Sequence, residues 1–128
     1  MREAVAQNQI RNALVDEGLF FRANVGQAWT GSECIRLPNG DMLIKQPRPF
    51  STGLPAGFSD LFGQRPTLIT PEMVGRTAGL FCGLEIKGPK GRLTQPQRNF
   101  INAVNDNGGR AGVARTPDEA LAIVRGQK

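Results

Sequence analysis

Between Gly79 and Gly88 the chain alternates with a period of two. Leu80, Cys82, Leu84 and Ile86 fall on one side, and Phe81, Gly83, Glu85 and Lys87 on the other. Successive side chains of a strand point to opposite faces, so this pattern predicts a β-strand with one wholly apolar face. Its other face places an acid and a lysine side by side at the end of an apolar segment. A turn, Gly88-Pro89-Lys90-Gly91, follows, and then a helix from about Gln95 to Asn107. Thr94 is a good N-cap, Thr94-x-x-Gln97 matches a capping box, and Gly108-Gly109 ends the helix. Gln97, Phe100, Ile101 and Val104 share one helical face. Arg110 to Arg115 reads as a short strand, and Pro117 to Val124 as a last helix with proline in its first turn. Strand, helix, strand, helix in this order predicts an α/β domain.

The upstream half fits the same class. Ala6, Ile10, Ala13 and Leu14 recur at helical spacing, so Arg2 to Glu17 reads as a helix with Gly18 as its C-cap. Leu19 to Asn24 reads as a strand. Asn39-Gly40 separates Ile35-Arg36-Leu37 from Met42-Leu43-Ile44, the pattern of a hairpin closed by a type I′ turn. Gln46 to Gly57, with three prolines and two glycines, reads as a loop. The lone Trp29 reads as a packing residue. No repeat or low-complexity tract interrupts the chain, and 128 residues suit one domain spanning 1–128. The expected architecture is one compact α/β domain with a central mixed β-sheet flanked by helices.

The absences narrow the chemistry further. The chain has no His and no Tyr, which removes Ser/His/Asp and Cys/His nucleophilic sites, His-ligated zinc, histidine general bases and tyrosine recombinase chemistry. Cys34 and Cys82 are far apart, form no CxxC pair and read as free thiols. The apolar runs are too short to cross a bilayer, and with no apolar stretch behind Met1-Arg2-Glu3 a secretory leader is not expected. The expected setting is cytoplasmic, in a bacterial or phage-infected cell, with no membrane partner. A formal charge of +5 and a pI near 10.0 favour a polyanionic partner, although small basic proteins are often only soluble. Chemistry on phosphodiesters would then fall to carboxylates, lysine and a hard cation such as Mg²⁺ or Mn²⁺.

Asp60 opens the short apolar segment Asp60-Leu61-Phe62 straight after a glycine-bearing turn. If its strand pairs with that of Glu85, two carboxylates converge beside the ammonium of Lys87, with the Ile86 carbonyl as a further oxygen ligand. The duller readings are that Asp60 caps a turn and that Glu85 and Lys87 are an exposed ion pair. Gln97 is explained equally by its capping box, and Glu3 by the dipole of the first helix. Lys90 and Arg92, on the turn beside the site, read as a solvated loop or, as their position favours, a phosphate clamp, and Arg48 offers a further DNA contact on charge alone.

In chain order, Gly57-Phe58-Ser59-Asp60-Leu61, Phe81-x-x-x-Glu85-Ile86-Lys87 and Gly91-Arg92-Leu93-x-x-x-Gln97 resemble the VRR-NUC domain of virus-type replication-repair nucleases, a compact branch of the PD-(D/E)XK superfamily. The similarity covers nearly the whole chain. It implies metal binding by Asp60 and Glu85, a catalytic lysine at Lys87, and supporting roles for Glu3 and Gln97. Ser59 stands where the family usually has proline, at a position that shapes the turn and supplies no ligand. The resemblance further implies a restriction-endonuclease-like core and a homodimeric, Mg²⁺- or Mn²⁺-dependent endonuclease acting in replication or repair on branched DNA, four-way junctions included. A flap or general endonuclease and a catalytically silent nucleic-acid-binding module are the competing expectations. A ribonuclease-H-like resolvase fits less well, because it needs three or four acids and no lysine two residues after a strand glutamate.

Overall fold

The computed structural model describes residues 2–127. Its elements run α1 (Glu3–Leu14), β1 (Leu19–Arg22), β2 (Gln27–Thr30), β3 (Glu33–Arg36), β4 (Met42–Lys45), β5 (Arg48–Ser51), β6 (Leu61–Gln64), β7 (Cys82–Ile86), α2 (Gln95–Asp106), β8 (Arg110–Ala114) and α3 (Pro117–Arg125), with one 3-10 turn at Pro71–Met73. The chain divides into two compact units. Phe21–Phe62 forms one, and the residues up to Phe20 with those from Gly63 onward form the other. The α/β class is as expected. The single central mixed sheet is not, because the strands pair two by two: β1 with β6, β2 with β5, β3 with β4 and β7 with β8. Alternation tells a segment to be a strand, but it leaves open which edges meet.

The larger unit is organised by β7, α2 and β8. The two strands are parallel, with Leu84 opposite Gly112 and Glu85 opposite Val113, and α2 makes the crossover that parallel pairing needs. Paired residues of a ladder share a face, so α2 covers the face of Gly83, Glu85, Ala111 and Val113. The Phe100 ring of α2 lies over Gly83 there. On the opposite face Ile123 of α3 lies against Gly112. Val104 of α2 is fully buried and Ala114 of β8 nearly so. Cys82, Leu84 and Ile86, the apolar side of β7, are exposed.

Both helix ends follow from local chemistry. The Thr94 hydroxyl accepts from the Gln97 amide, the Gln97 side chain accepts from the Thr94 amide, and the capping box is complete. At the other end Gly108 lies at φ 90°. The Gly108 amide donates to Asn105 and the Gly109 amide to Val104, a Schellman closure that satisfies two terminal carbonyls. The first helix is shorter than expected, ending at Leu14, and its apolar stripe is only partly covered, with Ile10 about half exposed.

Three expectations fail in the smaller unit for identifiable reasons. The hairpin closes with Leu37 and Asp41 paired around Pro38-Asn39-Gly40, where only Gly40 has positive φ. A type I′ turn needs positive φ at two residues, whereas Pro38 at the second position of the turn selects type I followed by a left-handed glycine. Arg48–Ser51, read as loop, is a strand pairing with the unforeseen β2, opposite Thr30 to Gln27. Proline is tolerated there because the two-stranded ladder leaves an edge on which Pro49 needs no amide donor. Trp29, expected to pack, is 63% exposed on this ladder.

A tight packing constraint beside α2 lies at Gly109. A Cβ there would sit 2.8 Å from the Phe81 carbonyl oxygen and 2.7 Å from a Val104 methyl. Gly109→Ala should destabilise the protein by about 1–3 kcal/mol, read as a lower urea midpoint at unchanged slope. Gly79→Ala meets nothing within 4 Å and should stay within about 0.5 kcal/mol of the parent. Coincident midpoints for the two variants would contradict the packing described.

Candidate active site

Glu85 and Lys87 leave β7 on the side covered by α2. Lys87 lies one residue past the strand, and its amide donates to the Ala114 carbonyl at 3.2 Å, continuing the parallel ladder. The two side chains are only partly open to solvent, with 33% of Glu85 and 19% of Lys87 exposed. They meet with Lys87 Nζ 3.6 Å from Glu85 Oε1.

A third side chain completes the group. Gln97 Nε2 donates to the same Glu85 oxygen at 2.8 Å, while Gln97 Oε1 accepts from the Thr94 amide at 2.9 Å. The capping box fixes which end of the amide is oxygen, so its NH₂ group is the end left to face the carboxylate. The competing readings of Gln97 are therefore compatible: one side chain caps α2 and holds Glu85. Both partners of Glu85 gather on Oε1, and Oε2 has no hydrogen-bond partner among the described residues. Beside this group a cavity of about 360 Å³ opens between Gly83 and Phe100, with Pro96 and Ile101 on its α2 side. The site thus has an apolar wall, one carboxylate with a free oxygen, and an ammonium.

The turn after Lys87 folds back over it. The Gly91 amide donates to the Gly88 carbonyl at 3.1 Å, and a Cβ on Gly91 would stand 3.2 Å from Lys87 Cβ and 3.3 Å from its Cδ. Lys90 and Arg92 on this turn are exposed. Arg115, which the sequence marked only as the end of a strand, reaches the same turn: its guanidinium donates to the carbonyls of Gly88 and Gly91. Nothing but positive charge distinguishes Arg115 in the sequence, because its partners are backbone atoms 27 and 24 residues away.

Each of the remaining candidates has its own local setting. Asp60 belongs to the smaller unit, where its carbonyl accepts from the Ala23 amide at 2.9 Å. Phe62 packs against Phe58 and Phe21, with ring centroids 5.4 and 5.6 Å away, and pins the segment around it. The Asp60 side chain is exposed. The ladder that would have carried Asp60 directly alongside Glu85 is not formed, since β6 pairs with β1 and β7 with β8. Glu3 occupies the exposed first turn of α1, and no hydrogen bond joins it to Glu85 among the described residues. Arg48 is exposed on β5 in the smaller unit, opposite Thr30. Ile86 is the last residue of β7, between Glu85 and Lys87. Among the described residues no group of three or more His, Cys, Asp and Glu side chains gathers as a metal cage, and no helix is long and apolar enough to cross a membrane.

No curated protein and no solved structure matches the chain. The family model of the VRR-NUC domain matches residues 2–117, a span that takes in β7 with Glu85 and Lys87, the following turn, α2 and Arg115. The chain belongs to the VRR-NUC family of nuclease domains.

Proposed function

We propose that this VRR-NUC domain is a Mg²⁺- or Mn²⁺-dependent endonuclease that hydrolyses phosphodiester bonds in branched DNA, four-way junctions included, on a restriction-endonuclease-like PD-(D/E)XK core. The observation that carries this reading is the group at the end of β7, where Gln97 and Lys87 meet one oxygen of Glu85 and leave the other available. The available donors suit such an ion, being hard oxygens with no His or Cys among them. Asp60, the free oxygen of Glu85 and the Ile86 carbonyl would hold it. When bound, the cation supplies Lewis-acid polarisation of the scissile phosphate and lowers the pKa of its water.

The protein's own groups do the rest. Gln97 fixes the rotamer of Glu85 through an amide that is itself locked to the start of α2. Lys87 orients the attacking water or stabilises charge developing on the phosphate. Lys90 and Arg92 meet the DNA backbone, and Arg48 adds a contact from the smaller unit. A homodimer fits a four-way junction, because one small protomer offers one site and resolution needs two symmetry-related cuts.

The test is cleavage of labelled four-way junction, flap, duplex and single-stranded DNA with Mn²⁺, beside an EDTA control. Asp60→Ala and Lys87→Ala should each lower cleavage by at least about 10²-fold, with far-UV dichroism and DNA affinity close to those of the parent. Full activity in either purified variant would remove that residue from the site. A preference for flap or plain duplex would replace the junction reading, and metal-independent binding without any cutting would make the protein a binding module.

The turn makes a separate, electrostatic prediction. Lys90→Ala and Arg92→Ala should weaken binding nearly equally across DNA sequences. Each should also lower the slope of log affinity against log salt by about 0.9 for every phosphate that the variant leaves unneutralised. An unchanged slope in both would take the turn off the DNA.

A further inference from the structure

The turn from Gly88 to Gly91 has few hydrogen bonds of its own. One backbone hydrogen bond closes it, from the Gly91 amide to the Gly88 carbonyl. Glycines stand at both ends, and a Cβ on Gly88 would meet nothing within 4 Å. Yet this turn forms one wall of Lys87, since Gly91 lies against the lysine stem at both Cβ and Cδ. A wall so close decides which rotamers a lysine can adopt.

What holds the wall is Arg115. Its Nη1 donates to the carbonyl of Gly88 and its Nη2 to that of Gly91 at 2.7 Å, so one planar fork spans both ends of the turn. Arg115 is itself anchored. It directly follows Ala114, which accepts from the Lys87 amide, and its own amide donates to Glu119 in the first turn of α3. Thr116 caps that helix by accepting from the Glu119 amide at 3.2 Å. The guanidinium therefore joins the turn to a position fixed by β8 and α3 together.

We propose that Arg115 is a positioning residue of the active site, setting the placement of Lys87 by clamping the Gly88–Gly91 turn against the lysine stem. The catalytic meaning of that placement rests on the nuclease reading above, but the placement does not. Arg115→Lys keeps the charge and loses the fork, because a compact ammonium cannot match two carbonyls as a planar guanidinium does. Arg115→Met keeps the stem and loses both.

Two measurements separate the placement from the catalysis. The chain has four lysines, Lys45, Lys87, Lys90 and Lys128, so reductive ¹³C-methylation gives a small set of lysine signals, with Lys87 assigned by its loss in Lys87→Arg. In both Arg115 variants the Lys87 resonance should move, while those of Lys45 and Lys128 stay in place. On the DNA substrate that the parent cuts best, both variants should lose roughly 10²-fold in kcat, the scale of a small misplacement at a reacting centre. KM and Mn²⁺ affinity should stay within about twofold, since Arg115 has no hydrogen bond to Glu85 among the described residues.

A Lys87 resonance unmoved in folded Arg115→Met overturns the proposal, as does restoration of full kcat by Arg115→Lys. A purely structural role would lower the melting temperature and leave the Lys87 signal and the kcat of the folded fraction unchanged, and that result also overturns it. If the parent cuts no DNA, the nuclease reading fails, while the lysine spectrum still decides whether Arg115 sets Lys87.

Discussion

The hydrogen bond from Gln97 Nε2 to Glu85 Oε1 ties the helix to the strand at the candidate site. It has that effect because the other end of the same amide is already committed. Gln97 Oε1 accepts the Thr94 amide, a donor that every helix start leaves without an intrahelical partner. A glutamine on an open helix face would sample several rotamers. With both ends of its amide engaged it becomes a rigid strut between the α2 N-terminus and the carboxylate. Helix initiation and the orientation of Glu85 are thus one structural event, and a shift of α2 along β7 would disturb both.

The rest of the larger unit keeps that strut at the right length. The Phe100 ring lies over Gly83 of the strand, and Val104 is buried behind it. Gly109 then brings the chain back under Phe81, whose carbonyl accepts the Arg110 amide at 2.8 Å. Gln64 Nε2 donates to the carbonyls of Val104 and Asn107, tying down the far end of α2. Small residues where backbones approach, and polar contacts at each helix end, fix the height of α2 above the strand. Such a frame tolerates little added volume at Gly109, where a Cβ would meet a Val104 methyl at 2.7 Å and the Phe81 carbonyl oxygen at 2.8 Å.

How far the sequence could be read follows from the range of the interactions involved. The period of two around Glu85 and Lys87, the Thr94-x-x-Gln97 box and the glycines after α2 are local patterns, and the structure places all three close to where the residues predict. What is nonlocal was not legible. Alternation specifies faces and not partners, so it did not reveal the two-by-two pairing of the strands among the described residues. The β2–β5 ladder was hidden by the prolines between Gln46 and Gly57, which read as loop although an edge strand accommodates Pro49. In the site, Gln97 showed its capping role in sequence but not its hold on Glu85, which depends on how the helix lies over the strand. Arg115 was invisible for the same reason, since backbone carbonyls leave no trace in residue identity.

The distribution of partners around Glu85 bears on what Lys87 is free to do. At 3.6 Å the ammonium is close enough to feel the carboxylate and too far for a well-formed hydrogen bond. The short contact to Oε1 is taken instead by the neutral Gln97 amide at 2.8 Å. Had the lysine made that bond, an incoming phosphate or water would have had to break a charge-assisted interaction before recruiting it. Gln97 relieves it of that task. The carboxylate is oriented by a neutral donor, and the lysine stays beside it with its protons uncommitted to Glu85. The remaining carboxylate oxygen faces no competitor among the described residues. An acid and a base two residues apart on a strand would by default pair with each other. Here the glutamine from the next helix takes the short contact to Glu85, and the lysine stands 3.6 Å away.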